Sequence, residues 1–141
     1  KDLDFSPKTP VRMISINTAL QVDLFGQVCS QSIGYKHFSG TGGQLDTHRG
    51  AQLSNQGRGI IALRSTAKNG EISTIVPILS EGTEVTIPSH DIDTVVTEFG
   101  IADLKGLCLR DRALALINIA HPNFRDQLKS DVMRLGIAPK L

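Results

Sequence analysis

The sequence predicts an α/β domain built on an open mixed sheet with flanking helices. Three observations predict it. Short apolar runs with strand character fill the first two thirds of the chain. A helical period takes over in the last third, and glycine-rich loops punctuate the change.

Taken in order, residues 1–10 (KDLDFSPKTP) carry two prolines and no period, and read as a connecting arm to a domain over 11–141. Val11 to Asn17 alternates enough for a strand, and Leu20 to Leu24 alternates strictly before Gly26 marks a turn into Val28. Gln44 to Ser54 predicts a short helix stopped by Asn55-Gln56-Gly57. Gly59 to Leu63 is a continuous apolar run of the kind a strand covered on both faces shows. Asn69-Gly70 signals a hairpin between Leu63 and Ile72–Val76. Val85 to Ile87, ending at Pro88, and Thr94 to Thr97 read as further strands. Leu109 to Ile119 predicts a helix with Leu109, Leu114, Ala115 and Ile117 on one face. A last helix opens at Pro122 or Asn123, runs through Leu135 and stops at Gly136.

Composition narrows the partners. The chain has 141 residues, 40% of them hydrophobic, enough for one packed domain. Fifteen basic and 14 acidic residues leave a net charge of +1, which argues against nucleic acid or an anionic membrane as the main partner. No apolar run reaches the ~20 residues that span a bilayer, and no signal-like start is present. Cys29 and Cys108 are far apart, so they read as buried free thiols in a reducing, cytoplasmic setting. The four histidines have no metal-binding spacing, so no metal is expected.

The most informative stretch is Ser39-Gly40-Thr41-Gly42-Gly43-Gln44-Leu45-Asp46, three glycines in four positions directly before a helix start. Glycines permit a positive-φ turn and let a ligand reach bare amides. The first amides of a helix lack internal partners and carry the positive end of its dipole, which suits a phosphate, a carboxylate or a developing oxyanion. Lys36 before the run and Arg49 after it add positive charge. A plain strand-to-helix turn is the competing reading. Lys68, beyond the Gly59–Leu63 strand, stands where α/β sheets gather ligands, or on a solvated hairpin tip. Glu98 ends a strand-like run, as Asn17 ends the first strand. Each is a candidate site residue or an exposed strand end. The run lacks the lysine of a P-loop and the full dinucleotide fingerprint.

Together these blocks resemble the C-terminal domain of the acetyl-CoA hydrolase/transferase family, the group of 4-hydroxybutyrate and butyrate CoA-transferases. The likeness is carried by Met13–Asn17 with Leu20–Val28, by the glycine run, and by Ser65–Gly70 with Ile75-Val76-Pro77. Val95–Ala102 and Ile119–Pro122 follow in the same order.

The resemblance implies a NagB/RpiA-like CoA-transferase domain with coenzyme A, as acyl-CoA, for substrate and no metal. It implies a short-chain carboxylate as second substrate and the N-terminal half of the same enzyme as partner, with a homo-oligomer allowed. The implied chemistry is attack of a glutamate on the thioester, then formation of a glutamyl-CoA thioester that a second acid resolves. The family glutamate sits in a Gly-Ile-His-(Ser/Thr)-Glu-Met type motif, and this sequence has none. The chain, opening on Lys1, is therefore expected to be inactive alone. By the likeness Gly42 and Gly43 serve the oxyanion, Gly40, Gln44 and Lys68 lie near CoA, and Asn17 and Glu98 order the glutamate pocket. Two positions depart from the family pattern. Thr47 stands where an aromatic is frequent and bears on the acyl or CoA pocket. Gln21 stands where glutamate is frequent, on an expected solvent face. An acyl-CoA hydrolase domain and a non-catalytic CoA- or nucleotide-binding module are the alternatives.

Overall fold

In the computed structural model, which describes residues 11–138, the main sheet has four strands. Strands β1 (Ile14–Asn17), β6 (Arg58–Ala62) and β10 (Thr94–Thr97) run parallel, and β11 (Gly100–Asp103) closes the edge antiparallel to β10. A second sheet joins β2 (Gln21–Asp23), β3 (Val28–Cys29) and β9 (Ile75–Val76). Two small hairpins complete the β-structure: β4 (Ser32–Ile33) with β5 (Lys36–His37), and β7 (Thr66–Ala67) with β8 (Ile72–Ser73). Helices α1 (Gln44–Leu53), α2 (Leu109–Ile119) and α3 (Pro122–Arg134) follow the expected order. The connecting arm of residues 1–10 lies outside the described residues.

Local chemistry explains the turns. Asp23 is buried, and its carboxylate accepts from the backbone of Phe25 (3.1 Å) and Gln27 (2.9 Å) and from Gln27 Nε2 (2.7 Å). Gly26 takes φ +85 within that turn, so β2 folds back onto β3 as the sequence predicts. Lys68, Asn69 and Gly70 all adopt positive φ at the β7–β8 tip. The hairpin signal is therefore correct, but pairing begins at Thr66 rather than Leu63. Gly136 ends α3 with φ +69.

One core joins the sheets to the helices. Val22, Leu24, Ile61, Ile75, Ile87, Val95, Leu104 and Leu116 are all inside it. Helix α1 lies close on β6 because Gly59 has no side chain: a Cβ there would stand 2.6 Å from the His48 ring. His48 is buried, and burial pulls its pKa below the ordinary histidine value despite nearby Asp93 and Asp91.

Four expectations need correction. Strand β6 alternates between buried and half-buried residues, so only one face is fully covered. On the other face of the main sheet Ile14 (49%), Ile16 (66%) and Ile101 (68%) stand exposed beside half-buried Ile60 and Val96. Helix α2 buries Ala113, Leu116, Ile117 and Ile119, while Leu109 is exposed, so its inward face is rotated from the predicted one. Val85–Ile87 forms only a single bridge, Val28 to Ile87. Cys108 is exposed at the start of α2, and only Cys29 is a buried thiol.

Candidate active site

The predicted site residues gather in two places. Asn17, Gly40, Gly42, Gly43 and Gln44 line one cavity of about 260 Å³, together with Gln31. Lys68 and Glu98 line another of about 620 Å³, with Arg64, Phe99 and His121.

The first cavity is built on the carboxyl end of β1 and the amino end of α1. Gly43 caps α1 with φ −83 and no side-chain cap, which leaves the first helical amides without a side-chain acceptor. None of Gly40, Gly42 or Gly43 has positive φ, so the turn does not demand glycine. An added Cβ at each would meet nothing within 4 Å. The expected positive-φ turn is thus absent. What remains is a stretch of exposed backbone.

Beside it, Asn17 Nδ2 donates to Ser15 Oγ at 2.9 Å and to Thr47 Oγ1 at 3.4 Å, and Thr47 donates to the Gln44 carbonyl at 3.2 Å. Ser15 Oγ also donates to Thr47 Oγ1 at 3.2 Å. Thr47 therefore ties α1 to β1 and fixes the Asn17 amide. Gln44 Nε2 donates to the Thr18 carbonyl at 3.2 Å. Arg49 brings no free charge here, since it makes a two-point ion pair with Asp91 at 2.9 and 2.6 Å.

The second cavity sits where β10 meets the segment after β6. Glu98 is exposed, yet both its oxygens are held. Ser65 donates its backbone N–H to Oε2 at 2.9 Å and its hydroxyl to Oε1 at 2.7 Å. Partial desolvation pushes the carboxyl pKa up, but the Ser65 bonds and the Arg64 charge outweigh it and hold Glu98 below the ordinary value. Ser65 itself is fully buried. His121 meets the Phe99 ring edge-on at 5.2 Å and caps α3 by accepting the Asn123 N–H at 3.3 Å.

Sequence reasoning missed Ser65, Arg64 and His121 as site residues. Ser65 is 33 positions from Glu98, and only the β6–β10 pairing joins them. Gln21 is the larger surprise. It is 8% exposed, lines a third cavity of about 350 Å³ and is not on a solvent face. The reason is that β2 is the middle strand of its sheet and every residue in it is buried.

Among the described residues no group of three or more His, Cys, Asp or Glu is placed to hold a metal. None of the described helices is long and apolar enough to cross a membrane.

The sequence profile of the acetyl-CoA hydrolase/transferase C-terminal domain matches residues 7–132. The chain is 57% identical over 119 residues to a 4-hydroxybutyrate coenzyme A transferase of Clostridium kluyveri, covering 84% of this chain and 28% of that protein. It is 54% identical over 124 residues to a succinyl-CoA:cyclohexane-1-carboxylate CoA transferase of Geobacter metallireducens, covering 88% and 28%. The crystal structure of RipA from Yersinia pestis superposes with a TM-score of 0.82 at 44% identity, covering 89% of this chain and 28% of that one. The chain thus spans little more than a quarter of each of these three proteins. Its profile match, these identities and the shared fold place it in one family: the chain belongs to the acetyl-CoA hydrolase/transferase family and carries its C-terminal domain.

Proposed function

We propose that this chain is the C-terminal, CoA-binding wall of a CoA-transferase that moves CoA between an acyl-CoA and a short-chain carboxylic acid. The observation that carries the reading is the glycine loop. Its glycines are required neither by φ nor by packing within the chain, so their use lies in what approaches from outside. Relatives named CoA transferases share this domain at more than half identity.

In this reading the amides of Gly42 and Gly43 face the thioester oxygen, with Gly40 and Gln44 beside the CoA. Charge grows on that oxygen as the carbonyl becomes tetrahedral, and one such donor contributes on the order of 3 kcal/mol to the barrier. The attacking carboxylate is a glutamate from the rest of the enzyme. It bonds to the acyl carbon, the C–S bond breaks and CoA leaves as the thiolate. The thiolate then attacks the glutamyl carbonyl of the anhydride and expels the acyl group as a carboxylate. An incoming carboxylate reverses these two steps and carries the CoA away. Asn17, held by Ser15 and Thr47, and Glu98, held by Ser65, order the pocket of that glutamate. Lys68 meets the CoA from the neighbouring cavity.

Transfer of CoA from acetyl-CoA to butyrate or propionate tests the reading. The 141-residue chain alone is expected to bind CoA in calorimetry and to turn over nothing. Turnover by the chain alone would contradict it and make Glu98 the nucleophile to examine. Thiol release with no acceptor acid would instead identify a hydrolase, in which water resolves the intermediate.

A further inference from the structure

The third cavity is a groove walled by Leu20, Ile33, Phe38 and Ile72, with Lys36 and Lys68 exposed along it and Gln21 set among its lining residues. It shares Ala67 and Lys68 with the Glu98 cavity, and Phe38 directly precedes the Ser39 of the glycine-loop cavity. The groove therefore lies between the two halves of the site. Gln21 Oε1 is sealed from solvent and has no hydrogen-bond partner among the described residues. Buried amide oxygens are rarely left without a donor, and leaving one so is costly. Gln21 lines the groove, and the terminal torsion of glutamine is broad and roughly two-fold, so its oxygen and nitrogen can exchange places there.

From these features we infer that Gln21 is a positioning residue that pairs with an amide in the pantetheine arm of the CoA thioester. The inference rests on the CoA reading above. The chemistry of the groove selects such a ligand on three counts. Apolar walls match an alkyl chain. An amide oxygen that lacks a donor can accept from the N–H of a secondary amide in that chain. Two lysines meet an anionic group carried on the same arm, and Lys36 is steadied over the Phe38 ring, 5.3 Å from its centre. A free nucleotide has the anion but no amide-bearing chain.

The test compares 4′-phosphopantetheine, CoA and adenosine 3′,5′-bisphosphate by calorimetry on the intact protein. Gln21→Leu keeps the volume and removes the amide. Ile33→Glu, at an exposed position that tolerates charge, places a carboxylate in the groove. Both substitutions are expected to weaken 4′-phosphopantetheine and CoA at least tenfold; Gln21→Leu leaves the bisphosphate unchanged, whereas Ile33→Glu, directly opposite Lys36, weakens it too. In turnover both should raise KM for acyl-CoA more than they lower kcat. Unchanged 4′-phosphopantetheine affinity in Gln21→Leu, with CoA still bound by the wild type, overturns the role of Gln21 whatever Ile33→Glu does, and leaves the CoA reading standing. Failure of the wild type to bind CoA at all overturns the CoA reading and this inference with it.

Discussion

The glycine loop and the Ser65–Glu98 corner lie on one domain and are built on opposite plans. The loop keeps its backbone bare: three glycines, no side-chain cap on α1, and open space where side chains would stand. The corner is fully wired. A buried serine donates twice to one carboxylate, an arginine stands near, and His121 and Phe99 close the wall. The difference separates a part whose internal bonds contribute to stability from a part that, in the proposed reading, is left open for a ligand. Substitutions in the corner should cost folding energy as well as activity, whereas substitutions in the loop should cost only activity.

The largest effect should come from the loop. Gly42→Ala in the full enzyme is expected to lower kcat by about 10²-fold, the scale of losing one oxyanion donor, by crowding the amides. Its melting temperature should stay within about 2 °C of wild type, because an added Cβ meets nothing. A large loss of stability with activity intact would reverse the comparison.

The corner should answer in the opposite currency. Ser65→Ala removes a hydroxyl donor to Glu98 and is expected to lower stability by about 1 kcal/mol, a figure already reduced for the exposure of the carboxylate. Urea titration measures it, and no change would show the bond to be incidental. Smaller again is the effect of pH. Glu98 is held below its ordinary value near 4.5, so its contribution is complete above that value and is lost as pH falls through the depressed one. Glu98→Gln should therefore be less stable than wild type at about pH 6, with the gap closing as pH falls below the ordinary carboxyl value. A gap independent of pH would remove the carboxylate from the account. Lys68→Ala, in the Glu98 cavity but outside the Ser65–Glu98 bonds, should raise KM for acyl-CoA several-fold, more at low salt than at high.

The sequence made the local features legible. The helix start after the glycine run, the Asn69-Gly70 tip and the Gly136 stop are each signalled by adjacent residues, and each is where it was expected, although the glycine run lacks the expected positive φ. The features it hid are of two kinds. Some depend on pairing across the chain: Ser65 meets Glu98 only because β6 lies beside β10. Others depend on burial that alternation cannot report. Strand β2 alternates polar and apolar, yet as a middle strand it buries Gln21 and Asp23 with Val22. The reverse happens on the main sheet, where the apolar run after Gly59 suggested two covered faces. One of them presents Ile14, Ile16 and Ile101 to solvent.

The central claim is that the bare amides of Gly42 and Gly43 meet the thioester oxygen. A crystal structure of the full enzyme with an unreactive acyl-CoA analogue tests it most directly. The account predicts the acyl carbonyl oxygen at about 3 Å from the Gly42 or Gly43 nitrogen. A carbonyl lodged instead against Ser65 and Glu98, with the glycine loop touching no part of the ligand, would contradict it.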